Sequence, residues 1–179
     1  MIMTRFIPRI FKRWYKEEEA LAAIEAAMVF PVMLIMLLGI LDVGNGILAN
    51  QKCVRASQVV ADLVARNSTI SQSDLDEAVE AGRLAFEPMD TSSYGVDIVS
   101  IRFDENANGE IVWRKTVNMT GAADPLASTA ALAAANEGVV MVSVRYVFEP
   151  IFGKFVSPHL EMSEVAFTRG RSSAVVNLE

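Results

Sequence analysis

ALAAIEAAMVFPVMLIMLLGIL, residues 20–41, carries one charge in its whole length, Glu25. As a helix rising ~1.5 Å per residue it reaches ~33 Å, enough to cross a hydrocarbon core of ~30 Å. Glu25 sits near one edge. Residues 26–41 have no ionisable group and would rise ~24 Å by themselves. Pro31, which lacks an N–H, predicts a loosened or kinked turn within the span, and Gly39, Gly44 and Gly46 weaken the helix again at its far boundary.

The two sides of this span differ in charge. Residues 1–16 hold Arg5, Arg9, Lys12, Arg13 and Lys16 with no acid, so residues 17–179 carry 11 basic against 22 acidic side chains. Positively charged flanks stay in the cytoplasm, which puts residues 1–19 inside and residues 45–179 across the membrane. Phe6, Ile7, Ile10, Phe11, Trp14 and Tyr15 interleave with the cations, a pattern suited to an anionic leaflet. Glu17, Glu18 and Glu19 then suit the first turn of a helix. The acidic outer part lacks the clustered cations that phosphate binding needs, so no nucleic-acid partner is expected.

Outside the membrane the helical period continues. Ala49, Cys53, Ala56, Val60, Leu63 and Val64 share one face, while Gln51, Arg55, Gln58, Asp62 and Arg66 share the other, with Asp62 and Arg66 spaced as an i,i+4 ion pair. Cys53 is the one cysteine and reads as a small buried apolar residue. Ser71 to Asp74 or Ser73 to Asp76 is expected to cap a second helix that ends before Pro88.

The period then changes to two. Residues 94–104 and 109–117 flank a turn and read as a β-hairpin, residues 139–149 as a third strand, and about 162–169 as a fourth. Residues 124–138 are alanine-rich and are expected to be helical. The tail, residues 172–179, either adds an edge strand or frays. The chain thus divides into a basic leader, 1–20, a transmembrane and spine helix, 21–67, and an outer head, 68–179. The fold class is α+β, with a small antiparallel sheet of three to five strands packed on helix.

Catalytic and metal chemistry are poorly served. His159 is the one histidine, no Ser lies in a nucleophile-elbow motif, and no glycine-rich phosphate loop occurs, so neither an enzyme nor a cofactor is expected. Asp104, Asn106, Asn108 and Gly109 begin like a calcium loop, but its twelfth position is Lys115, where a bidentate Glu is required. The better expectation is a hairpin turn in which Asn and Gly take the positive φ angles. The strongest functional candidate is Glu25, because a carboxylate in an apolar helix costs up to ~2.5–3.5 kcal/mol at mid-membrane and less near the edge. Two readings stay open. Either the side chain reaches the interface or is protonated, or a cation from another chain or a newly made amine neutralises it. Ala22/Ala26 and Ala23/Ala27 have the spacing that lets helices approach closely.

The run LAAIEAAMVFPVMLIMLLGILDVGNGILANQ resembles the N-terminal signature of the TadE-like pseudopilins of tight-adherence (Tad/Flp) pili, over roughly residues 20–65. That signature has a basic leader, a small residue, a glutamate five places into the mature chain, apolar residues with a proline, then an acid and a glycine, here Asp42 and Gly44. The resemblance implies that a prepilin peptidase cuts between Ala20 and Leu21, making Leu21 the new N-terminus and Glu25 the fifth mature residue. Two positions depart from the wider pattern: Ala20 stands where glycine is usual, and Ala26 where Tad-type members carry an aromatic. The resemblance implies a minor pseudopilin or assembly factor in the bacterial inner membrane with a periplasmic head. Implied partners are the peptidase, other pilins or pseudopilins, the inner-membrane assembly platform and membrane lipid. The second reading is an unprocessed, signal-anchored periplasmic binding module.

Overall fold

The computed structural model describes residues 18–155 and 158–179. Of the basic, aromatic-rich leader expected over residues 1–20, residues 1–17 lie outside the described residues. Helix α1, Glu18–Arg66, is a single helix of 49 residues that runs through Pro31 and all three glycines. At ~1.5 Å per residue it is ~74 Å long.

The outer half of α1 buries the face that the periodicity marks. Ala49, Cys53, Ala56, Val60 and Val64 are fully buried, and Leu63 is half-buried beside them. Because these side chains are small, the sheet and a second helix can both approach the α1 backbone closely. Helix α2, Gln72–Leu84, begins with a reciprocal cap: the Asp74 N–H donates to Ser71 Oγ at 3.2 Å, and the Ser71 N–H donates to Asp74 Oδ2 at 3.1 Å. It packs on α1 through Leu75, Ala78 and Gly82. A Cβ on Gly82 would lie 2.3 Å from Tyr94 Oη and 2.6 Å from Val60 Cγ2, so glycine is required by contact there.

The head contains a four-stranded antiparallel sheet of β2, Gly95–Phe103, β3, Gly109–Val117, β4, Gly138–Phe148, and β5, Leu160–Thr168. Its order is β3-β2-β4-β5. Alternation divides the central strands between two cores. Val96, Ile98, Val140, Val142, Val144, Tyr146 and Phe148 face α1 and α2. Val99, Ile101, Phe103, Val139 and Met141 form a second core under Ala122, Leu126 and Ala133. Burial on both faces explains why β2 and β4 are nearly continuous runs of apolar residues.

Four local expectations need correction. In the hairpin turn it is Ala107, at φ 61°, that takes the left-handed conformation, and no glycine has positive φ. Asp104 organises that turn as an acceptor: Oδ1 takes the Asn106 and Asn108 N–H groups, each at 2.8 Å, and Oδ2 takes Asn108 Nδ2 at 3.0 Å. The alanine-rich segment is helical only over α3, Pro125–Thr129, capped by Asp124, and a 3-10 turn, Ala130–Leu132. Asp62 pairs with Arg171, not with Arg66. Finally, the tail does not join the main sheet. Its strand β6, Asn177–Leu178, pairs in parallel with β1, Thr69–Ile70.

That tail closes the head. The Arg171 N–H donates to Ala65 O at 2.8 Å and Ser172 Oγ donates to Arg66 O at 2.7 Å, satisfying carbonyls left open at the end of α1. Val176 is buried, and its carbonyl accepts from Ser100 Oγ and from Trp113 Nε1, both at 2.8 Å.

Candidate membrane-anchoring and assembly helix

The inner half of α1 packs on nothing in the chain. Residues 21–41 are exposed throughout except for half-buried Leu38, and Met28 and Ile35 leave 72% and 70% of their surface open. This is a cylinder of apolar side chains, far larger than the exposed patches of soluble monomers. Its length and composition suit a single-pass membrane anchor. The open apolar surface also continues past Leu41, through Val43, Ile47 and Leu48, on the side of α1 that the head leaves uncovered.

Leu21 and Glu25 fall on this cylinder. Ala20 and Leu21 lie in the first turns of α1, and Glu25 follows Leu21 by four residues on the same helical face, a rise of ~6 Å. Glu25 is exposed, as are Ala22, Ala23, Ala26 and Ala27, whose small side chains leave the backbone open to a second helix.

Asp42 was visible in the sequence only as part of a signature, and its role is structural. It is 7% exposed and accepts three backbone N–H groups from a loop more than a hundred residues away: Ile151 at 2.9 Å, Phe152 at 2.8 Å, and Gly153. The loop is thereby fixed at the level where α1 passes from its open half to its packed half. One turn further on, the Phe148 ring lies against α1 at Gly46, at a distance where a Cβ would make ordinary contact, 3.5 Å from the ring. The available signal was the acid followed two residues later by Gly44, and the surroundings of that glycine are open. Nothing in the local pattern named the partner loop.

Cys53 lies deeper in the packed half. Its thiol is buried, with Sγ 3.6 Å from Val144 O, and burial, aided by the charge of Glu164, pushes its pKa up to about 12. The thiol is therefore protonated and packed, not reactive. Lys115, at the position that would complete a calcium loop, instead donates to Asp76 at 2.7 Å. Among the described residues no group of three or more His, Cys, Asp or Glu side chains is placed to hold a metal. His159 is exposed immediately before β5.

This helix, open over its first half and packed over its second, can be compared with known families. Residues 21–62 match the family model of TadE-like protein. The TadE-like segment corresponds to the stretch of resemblance read from residues 20–65 and ends inside α1, so the sheet lies outside the match. No curated protein and no solved structure matches the chain. The TadE-like match associates the chain with Tad pilus systems, a structural, pilus-associated setting, and the length and composition of α1 fit a single-pass membrane anchor.

Proposed function

We propose that this protein is a minor pseudopilin or assembly factor of a Tad/Flp-type pilus. It is held in the inner membrane by α1, with residues 1–20 as a cytoplasmic leader and the head, residues 68–179, in the periplasm. The observation that carries this reading is one unbroken helix, TadE-like over residues 21–62, whose inner half is bare and apolar while its outer half is the core element of a small head. A bare, alanine-lined helix suits lateral packing against equivalent helices as well as lipid.

Hydrolysis of the Ala20–Leu21 peptide bond by a prepilin peptidase would free an α-amine on Leu21. With a pKa of ~7.7–8.0 that amine is largely protonated at neutral pH. In a bundle it can sit beside Glu25 of a neighbouring subunit, and each charge then offsets the desolvation of the other. Other pilins of the system and the assembly platform are the partners this arrangement serves.

The test is the intact mass and N-terminal sequence of the protein purified from membranes of its own host. A chain beginning at Leu21 supports the pseudopilin reading. A chain beginning at Met1 in cells with active peptidase overturns it and leaves the permanently anchored periplasmic module.

A further inference from the structure

We propose that the loop pinned by Asp42 is a second membrane contact, in which Ile151 and Phe152 insert among the acyl chains of the leaflet on the head side. The inference rests on the reading of α1 as a membrane span and adds a part of the head to the buried surface. Ile151 and Phe152 expose 64% and 45% of their surface although they neighbour a packed core. Their backbone is held on Asp42, one residue beyond the apolar run of residues 20–41.

Height along α1 decides what covers them. Open apolar side chains lie below Asp42, at Ile40 and Leu41, and above it, at Val43, Ile47 and Leu48, the last ~9 Å further along the axis. The loop is therefore fixed within the band of helix that is itself apolar and uncovered. Beside it runs an open groove of about 760 Å³, lined by Gly39, Val43, Gly46, Ile47, Leu160 and Met162. The groove turns polar at its outer end, at Asn50 and Gln51, and the loop borders it through Pro150 and Gly153, while Ile151 also edges a polar cleft with Asp90, Glu149 and Lys154. The solvent that fits an apolar surface continuous with a membrane span is lipid.

The arrangement also explains Asp42. A carboxylate at this depth requires compensation. Three backbone N–H groups supply it, and the same bonds satisfy donors in a loop that could not leave them open in an apolar setting. With two anchoring points, span and loop, the head is held at a fixed tilt to the membrane plane.

The test is spin-label accessibility in the full chain, reconstituted in phosphatidylethanolamine–phosphatidylglycerol vesicles. Labels are placed singly on Phe152→Cys, Ile151→Cys, Val43→Cys and Glu105→Cys, each in a Cys53→Ala background. Val43 reports the level of α1 at which the loop is held, and Glu105, in the β2–β3 turn at the opposite end of the sheet, reports water. The expected result is an oxygen-over-nickel collision ratio at 151 and 152 that rises from the value at 105 to that at 43. If 43 is lipid-exposed while 151 and 152 behave like 105, the loop contact is wrong and the span stands. If 43 also behaves like 105, the level of α1 at which the loop is held lies in water and the loop proposal falls, whereas a span over residues 21–41 stands. Shielding of 151 and 152 from both colliders would mean that protein covers the loop, which overturns the proposal in favour of a subunit interface.

Discussion

Replacing Asp97 with alanine tests what holds the head together at its β2–β3 edge. The Asp97 side chain is fully buried and takes four bonds: Arg114 Nε and Nη2, both at 2.8 Å, Thr116 Oγ1 at 2.8 Å and the Ala122 N–H at 2.9 Å. Breaking a buried ion pair by removing one partner costs ~3–5 kcal/mol. Arg114 is 31% exposed and keeps a bond to Ala122 O, so its charge is not fully stranded, and the expected loss is about 3 kcal/mol, at the low end of that range. Burial opposes ionisation of Asp97, but Arg114, the Ala122 N–H and Thr116 overcome it and hold the carboxyl below its usual range. A group whose folded pKa is depressed contributes stability above its unfolded pKa, ~3.9, and loses it as pH falls through the lower folded value. Urea unfolding of the detergent-solubilised full chain, followed by near-UV circular dichroism, should therefore show a wild-type advantage that is full at pH 7 and narrows below about pH 4. A loss under ~1 kcal/mol at pH 7, within the range of ordinary substitutions, would refute the reasoning, as would a wild-type advantage that does not change on acidification.

Glu25→Gln should abolish or strongly reduce pilus assembly in the native host while leaving the thermal midpoint of the head unchanged, because the side chain touches nothing in the head; normal pili would remove Glu25 from the assembly mechanism. Cys53, buried and with its pKa pushed up to about 12, should resist maleimide in the folded protein at pH 8 and react at the rate of a free thiol once urea has unfolded the head. Labelling without denaturant would show that α1 and β4 separate in the native state.

What could be read from the residues alone was whatever repeats at a fixed spacing. The face of α1 from Ala49 to Val64, the Ser71 cap, and strands β2 to β5 follow from periods of 3.6 and 2 and from short-range capping, all of which act within a few residues. Partner choice across the chain does not. Asp62 had an ideally spaced Arg66, yet Arg171, brought alongside by the tail, is the cation it meets. Asp97 reads as one polar residue in an apolar strand, and only the β2–β3 register sets it beside Thr116, within reach of Arg114. The bond between Asp42 and residues 151–153 is of the same kind: the acid and glycine were legible, the loop was not. At the β2–β3 turn the residue types suggested the conformation correctly but assigned it to the wrong positions, because Asp104 draws in the N–H groups of both asparagines and leaves Ala107 to make the reversal. For the candidate site, Glu25 stands out in one dimension as a charge in an apolar run, whereas the Ala20–Leu21 step is implied by the resemblance alone.

The tail that reaches back to α1 has a consequence for the order in which the protein is made. β6 pairs with β1, and Val176 supplies the acceptor for Trp113 and Ser100, so the principal core lacks one wall until residues 171–178 are in place. Contacts between segments so far apart in the chain form late, because the long loop between them must close first. α1 is complete once residue 66 has been made, but the sheet stays open until the polypeptide up to Leu178 has been synthesised. A chain stalled short of its tail therefore presents an unclosed core rather than a finished head.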